Sequence, residues 1–89
     1  MKKRIIFEPK ARDEYEEWKK KDPKIAIRIK ELINDIKKDP FQGIGKPEPL
    51  KHDLQGYWSR RIDKVNRLVY AAKDDMIVVF SCMHHYKHI

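Results

Sequence analysis

The chain has 89 residues, 39% of them charged and 40% apolar, which allows one modest hydrophobic core and excludes both a disordered chain and a multidomain assembly. Its 21 Lys and Arg outnumber 14 Asp and Glu, and the net +7 favours an anionic partner such as nucleic acid, an acidic protein segment or a membrane surface. No apolar run has the length of a membrane span, Ile5-Ile6-Phe7 is too short for a signal-peptide core, and a single cysteine, Cys82, cannot form an internal disulfide. One domain over residues 1–89, working in the cytoplasm with no membrane span, is therefore expected.

In chain order, Lys3 to Phe7 has strand propensity and stops at Glu8-Pro9. Pro9 opens a predicted helix to about Lys21, with Ala11, Tyr15 and Trp18 on one stripe. Asp22-Pro23 closes it and starts a second helix, in which Ile25, Ile29, Leu32, Ile33 and Ile36 follow the helical period up to Asp39-Pro40. A loop from Pro40 to Gly56 follows. Beyond it, Tyr57 to Ile62, Arg67 to Ala72 and Met76 to Cys82 read as strands joined by turns at Asp63 to Asn66 and Lys73 to Asp75. The expected fold class is α+β, with two N-terminal helices packed on one face of a twisted antiparallel β-sheet.

The loop holds the most site-like segment, Gly45-Lys46-Pro47-Glu48-Pro49-Leu50-Lys51-His52. Each proline fixes its own φ and pushes the preceding residue toward extended geometry, so Glu48 sits on stiff backbone. Two readings stand at this point: a catalytic carboxylate, or a solvated residue in a proline-punctuated connection.

The run from Pro40 to His52, then Leu54, Gly56, Trp58-Ser59-Arg60-Arg61-Ile62, Arg67-Leu68-Val69-Tyr70 and the terminal His85-Tyr86, resembles the YoeB (Txe/YoeB) branch of the RelE superfamily of toxins. The resemblance implies the toxin of a type II toxin-antitoxin pair: an endoribonuclease that enters the ribosomal A site, cuts mRNA and so inhibits translation. It also implies a YefM-like antitoxin, homodimerisation, and contact with operator DNA only through the antitoxin complex. The family pattern ends at His-Tyr, whereas this chain continues through Lys87-His88-Ile89.

The chemistry can be checked on the residues. Metal-independent RNA cleavage needs a base for the 2′-hydroxyl, an acid for the 5′-oxygen and positive charge for the phosphorane. Glu48 suits the base, since carboxylates titrate near ~4.3, and His85 the acid, since imidazole titrates near ~6.5. Arg67 offers a planar fork to phosphate oxygens. These positions match the family's catalytic motif, as does Tyr86, whose ring or hydroxyl can hold a base or the phosphate. Lys51, His52 and Arg61 are candidates for gripping the RNA backbone. Arg60 and Arg61 must point to opposite sheet faces, and Trp58 and Tyr57 read more readily as packing than as base-stacking residues. No cofactor is expected.

Two cautions come from the chain end. With ideal hairpins Arg67 falls opposite about Phe80, some five residues or roughly 16 Å short of His85. Either the terminal segment curls back, the register differs, or His85 is no partner of Arg67. Cys82, His84, His85 and His88 form a crowded set of ligand types, but crowding disfavours a zinc site, and Cys82 reads as a buried strand residue. Besides the nuclease, a non-catalytic RNA or ribosome binder and a DNA-binding co-repressor acting with an acidic partner stay open.

Overall fold

The computed structural model of the protein describes residues 3–83. The expectations placed on His84, His85, Tyr86 and His88 lie outside the described residues.

Strand β1 (Arg4–Phe7) leads into helix α1 (Pro9–Lys21) and helix α2 (Pro23–Lys38). Strands β2 (Glu48–Pro49), β3 (Trp58–Arg61), β4 (Arg67–Lys73) and β5 (Met76–Ser81) follow. Both helices start on a proline, where the missing N–H costs no intrahelical bond, and both end on lysines that suit the negative end of the helix dipole. The apolar stripes do what their spacing requires. Ala11 and Trp18 of α1 are buried with Ala26, Ile29, Leu32, Ile33 and Ile36 of α2, against Leu68, Tyr70, Ile77 and Val79 of the sheet. Tyr15 and Ile25 pack at the margin of that cluster. Burying each large aliphatic side chain contributes about 1.5–3 kcal/mol, so α2 with its four such residues is the main clamp on the sheet.

The five strands lie in the order β1-β5-β4-β3-β2. The α+β class with helices on one sheet face holds, but the sheet is mixed. Arg4–Phe7 pairs in parallel with β5, with Ile5 beside Ile77 and Phe7 beside Val79. The composition of a four-residue strand carries no direction. The chain sets it by returning through two helices and a three-strand meander before β5 is laid beside β1.

The Pro40-to-Gly56 stretch is also more ordered than expected. Glu48 and Pro49 form a short edge strand, with Glu48 opposite Ser59 and Pro49 opposite Trp58. Bonds from Arg61 N to Gly45 O (2.7 Å) and from Leu50 N to Tyr57 O (2.9 Å) extend the pairing at each end. Proline is tolerated here because this is a sheet edge.

Candidate functional site

Cross-strand partners share a sheet face, and neighbours along a strand alternate. Trp58 and Arg60 of β3, opposite Tyr70 and Leu68 of β4, therefore face the helices. Ser59 and Arg61, opposite Val69 and Arg67, face the other way, and Glu48 joins them through its pairing with Ser59. The row Glu48, Ser59, Val69, Ser81 crosses four strands, and Arg61 beside Arg67 forms the row two residues along. Two strand spacings and two residues separate the Glu48 and Arg67 backbones by roughly 12 Å. Between them lie only short side chains. Lys51 and His52 are exposed just past the Pro49 end, so Glu48 stands between them and the arginine pair. His52 adopts φ 58, a left-handed conformation at the start of a 3₁₀ turn over His52–Leu54.

The loop that leads into the Glu48 strand is anchored by Arg60. Arg60 is completely buried on the helix side. A guanidinium has five N–H donors, and every one is used. Nε donates to the Tyr70 hydroxyl (3.1 Å), one terminal nitrogen to Asp35 Oδ2 (2.6 Å) and Ile44 O (3.0 Å), and the other to Asp39 O (2.8 Å) and Gln42 O (3.0 Å). The Tyr70 hydroxyl donates in turn to Pro40 O (2.7 Å), and Asp35 Oδ2 also accepts from Ile44 N (3.0 Å). One side chain thus ties the end of α2 and the loop from Asp39 to Ile44 to the centre of the sheet. The Arg60 hydrogen bond, with help from the Ile44 amide, holds the Asp35 carboxyl below its ordinary range, while burial pushes the Tyr70 hydroxyl up. The loop fits this node with no space to spare: at Gly43, φ 135, a Cβ would lie 1.9 Å from Asp35 Oδ2. The available signal was facial: Arg60 alternates with Arg61 and shares its face with Trp58 and Ile62, so it had to enter the core.

Arg67 is half-buried, with long contacts from one terminal nitrogen to Asp63 O (3.3 Å) and Asn66 O (3.4 Å). The turn before it is built on Asp63, whose Oδ1 accepts from Val65 N (2.8 Å), Asn66 N (2.6 Å) and the Asn66 side-chain amide (3.2 Å). Burial alone would raise the Asp63 carboxyl, but these bonds and the charge of Arg67 hold it below the ordinary range. A tight turn over Asp63 to Asn66 would set Ile62 nearly opposite Arg67 with Arg61 close by; in the structure Arg67 pairs with Arg61, one residue away. A groove of about 420 Å³ opens beside the pair, lined by Arg28, Arg61, Ile62, Asp63, Lys64 and Arg67.

The aromatic residues next to the site pack against their neighbours. Trp58 meets Phe41 with ring centroids 4.8 Å apart, and Tyr57 meets Phe80 at 5.3 Å. Cys82 is buried with its thiol pushed up to about 12 by desolvation, a poor precursor for a thiolate ligand. Its N–H donates to Glu14 Oε1 (2.8 Å), and its carbonyl accepts from Trp18 Nε1 (2.8 Å). Helix α1 therefore grips the chain on both sides of the Cys82 peptide. Among the described residues no three His, Cys, Asp or Glu side chains converge as a metal site, and none of their helices is long and apolar enough to cross a membrane.

The register toward the chain end differs from the ideal hairpin. Lys73 pairs with Met76 across a two-residue turn, and a bulge shifts the ladder so that Tyr70 faces Val79 but Val69 faces Ser81. Phe80 is the extra residue. Continued two steps, this register sets Arg67 level with Met83, and the gap in sequence to His85 shrinks from five residues to two.

The family profile described as "YoeB-like toxin of bacterial type II toxin-antitoxin system" matches residues 7–86. Toxin YoeB of Streptomyces coelicolor is 52% identical over 83 residues, 93% of this chain and 99% of that protein. The YoeB dimer from Staphylococcus aureus superposes with a TM-score of 0.90 at 41% identity, over 97% of this chain and 100% of that one. The YoeB chain in the heterotetrameric YoeB-YefM toxin-antitoxin complex from the same organism gives 0.88 at 41% identity, with the same coverage.

Proposed function

This chain belongs to the YoeB-like toxins of bacterial type II toxin-antitoxin systems, and on that premise we propose that it is a ribosome-dependent endoribonuclease that cuts mRNA in the A site. The observation that carries the proposal is the shared face of Glu48 and Arg67. A carboxylate and an always-charged guanidinium stand on the sheet surface away from the helices, across short side chains and at a separation that long side chains can bridge onto one phosphodiester.

In the reaction, Glu48 takes the 2′-hydroxyl proton as that oxygen attacks phosphorus. Arg67 neutralises the extra charge on the phosphorane oxygens, with Arg61, Lys51 and His52 holding the flanking backbone. The P–O5′ bond breaks, and His85 delivers a proton to the leaving oxygen. The products are a 2′,3′-cyclic phosphate and a 5′-hydroxyl. Tyr86 stacks on a base or orients the phosphate. Every proton has a donor and an acceptor in the chain, so the scheme calls for no metal and predicts activity in EDTA.

One domain over residues 1–89 carries these roles in the cytoplasm, where the ribosome is. By analogy with the S. aureus assemblies, a YefM-like antitoxin silences it and a second copy pairs with it, and operator DNA is reached through the antitoxin complex. Primer extension on mRNA after induction tests the proposal, combined with analysis of the fragment ends. Codon-phased cuts ending in cyclic or 3′-phosphate are expected, and Glu48→Ala, Arg67→Ala and His85→Ala should each abolish growth arrest. A 3′-hydroxyl end sinks the mechanism, and arrest without cut mRNA sinks the nuclease in favour of a binding inhibitor.

A further inference from the structure

We propose that the groove beside the Arg61-Arg67 pair is a second phosphate subsite, in which Arg28 and Lys64 hold the RNA phosphodiester next to the one being cut. The inference rests on the nuclease reading and extends it to residues that neither the motif nor the mechanism uses.

Four cations line the groove, and each comes from a different part of the fold: Arg28 from α2, Arg61 from β3, Lys64 from the β3–β4 turn and Arg67 from β4. Such a concentration repels itself and persists only where something else is gained. Its one carboxylate, Asp63, is occupied by the turn, accepting from Val65 N, Asn66 N and the Asn66 amide. Among the described residues, no carboxylate comes within ion-pair distance of Arg61, Lys64 or Arg67. Arg28 has only a loose 3.6 Å contact with Glu31, whose side chain is largely exposed. At about 420 Å³ the groove has room for a phosphodiester and its sugar, and it is continuous with Arg67. A strand whose scissile phosphate meets Arg67 would carry its neighbouring phosphate into the space between Arg28 and Lys64.

An acidic protein segment is the competing occupant. The lining disfavours it, because a segment that folds on binding needs apolar anchors, and the groove offers only Ile62, itself 7% exposed. Arginine forks suit phosphate oxygens in particular.

The test is binding of a single-stranded RNA oligomer, with a 2′-deoxy sugar at the cut position, across a salt series. The R28Q/K64Q protein is compared with wild type and with K20Q/K24Q, which removes the same charge from exposed helix positions. The groove variant should bind about tenfold more weakly, and its slope of log affinity against log salt should fall by about 1.4, or 0.7 per lost contact. The control should stay near wild type, and matched melting temperatures establish that all three are folded. Equal slopes in both variants overturn the subsite while leaving the nuclease standing. Unchanged RNA binding with lost affinity for the cognate antitoxin assigns the groove to that protein and also overturns it. A wild-type protein that neither binds this oligomer nor cuts its all-ribose form, with or without ribosomes, sinks both readings.

Discussion

Arg61 and Arg67 stand directly opposite one another in the β3–β4 ladder, two cations on the same sheet face. A like-charged pair in that position destabilises the hairpin; Asp63 feels the charge of Arg67, but no carboxylate among the described residues comes within ion-pair distance of either arginine. Arg61→Gln should therefore melt at the same temperature as wild type or slightly above it, with a gain below about 1 kcal/mol. Because salt screens the repulsion, raising ionic strength should stabilise wild type more than the variant. Calorimetry at low and high salt measures both effects. On the proposed mechanism Arg67→Gln should cut RNA roughly 10²–10³-fold more slowly while staying folded, and an unfolded Arg67→Gln would show instead that the residue is structural.

Arg60 should behave in the opposite sense. Arg60→Ala leaves three backbone carbonyls and the Asp35 carboxylate without their donor and opens a cavity in the core. The expected loss is about 3–5 kcal/mol. Arg60→Lys should lose nearly as much, since an ammonium cannot reproduce a five-donor fork. Urea denaturation reads the difference, and a cost under about 1 kcal/mol for Arg60→Ala would contradict the node described above.

Acid should attack the same node at Asp35 and the β3–β4 turn at Asp63. Asp35 and Asp63 both titrate below their ordinary value of 3.8 in the folded protein. For a lowered carboxylate the stabilisation is complete above the unfolded-state value and disappears as pH falls through the folded one. Stability contributed by these groups should stay flat from neutrality to about pH 5 and drop below about pH 4. In Asp35→Asn that drop should be smaller, from a lower plateau. Denaturation midpoints at several pH values provide the check.

At the alkaline end Cys82 has the reverse sign. Its thiol is pushed up from 9.0 to about 12, so its contribution is present below pH 9 and is lost as pH rises toward 12. At pH 8 the native thiol should resist iodoacetamide and react at the rate of a free cysteine only in denaturant. Rapid labelling of the folded protein would contradict the burial.

Much of this is legible in the sequence. Both helices begin and end where their prolines and charged caps place them, because a five-residue aliphatic stripe and two Asp-Pro steps leave little choice. Counting back from the Asp63-to-Asn66 turn brings Arg61 close to Arg67, one residue from the pair the ladder makes. Three features were not legible. The direction of β1 depends on the path of the whole chain, not on its four residues. Edge strand β2 is held by hydrogen bonds from Arg61 N to Gly45 O and from Leu50 N to Tyr57 O, which no local propensity encodes. The bulge at Phe80 is one residue of register, and an apolar run such as Met76 to Ser81 tolerates it at any of several positions. Arg60 is the instructive case: its residue type is almost always found at the surface, yet alternation with Arg61 and a face shared with Trp58 and Ile62 send it inside.

Helix α1 grips the Cys82 peptide through Glu14 and Trp18, and this turns the position of the proposed acid into a question of leash length. Three residues of fully extended chain reach at most about 11 Å, so on the proposed mechanism the leaving oxygen that His85 protonates must pass within that radius of Cys82, plus one side chain. The reach of the proposed acid is then set by strand β5 together with two side chains of a helix on the opposite face of the sheet. A Trp18 substitution that leaves Glu48, Arg61 and Arg67 untouched would loosen the leash and dilute the acid.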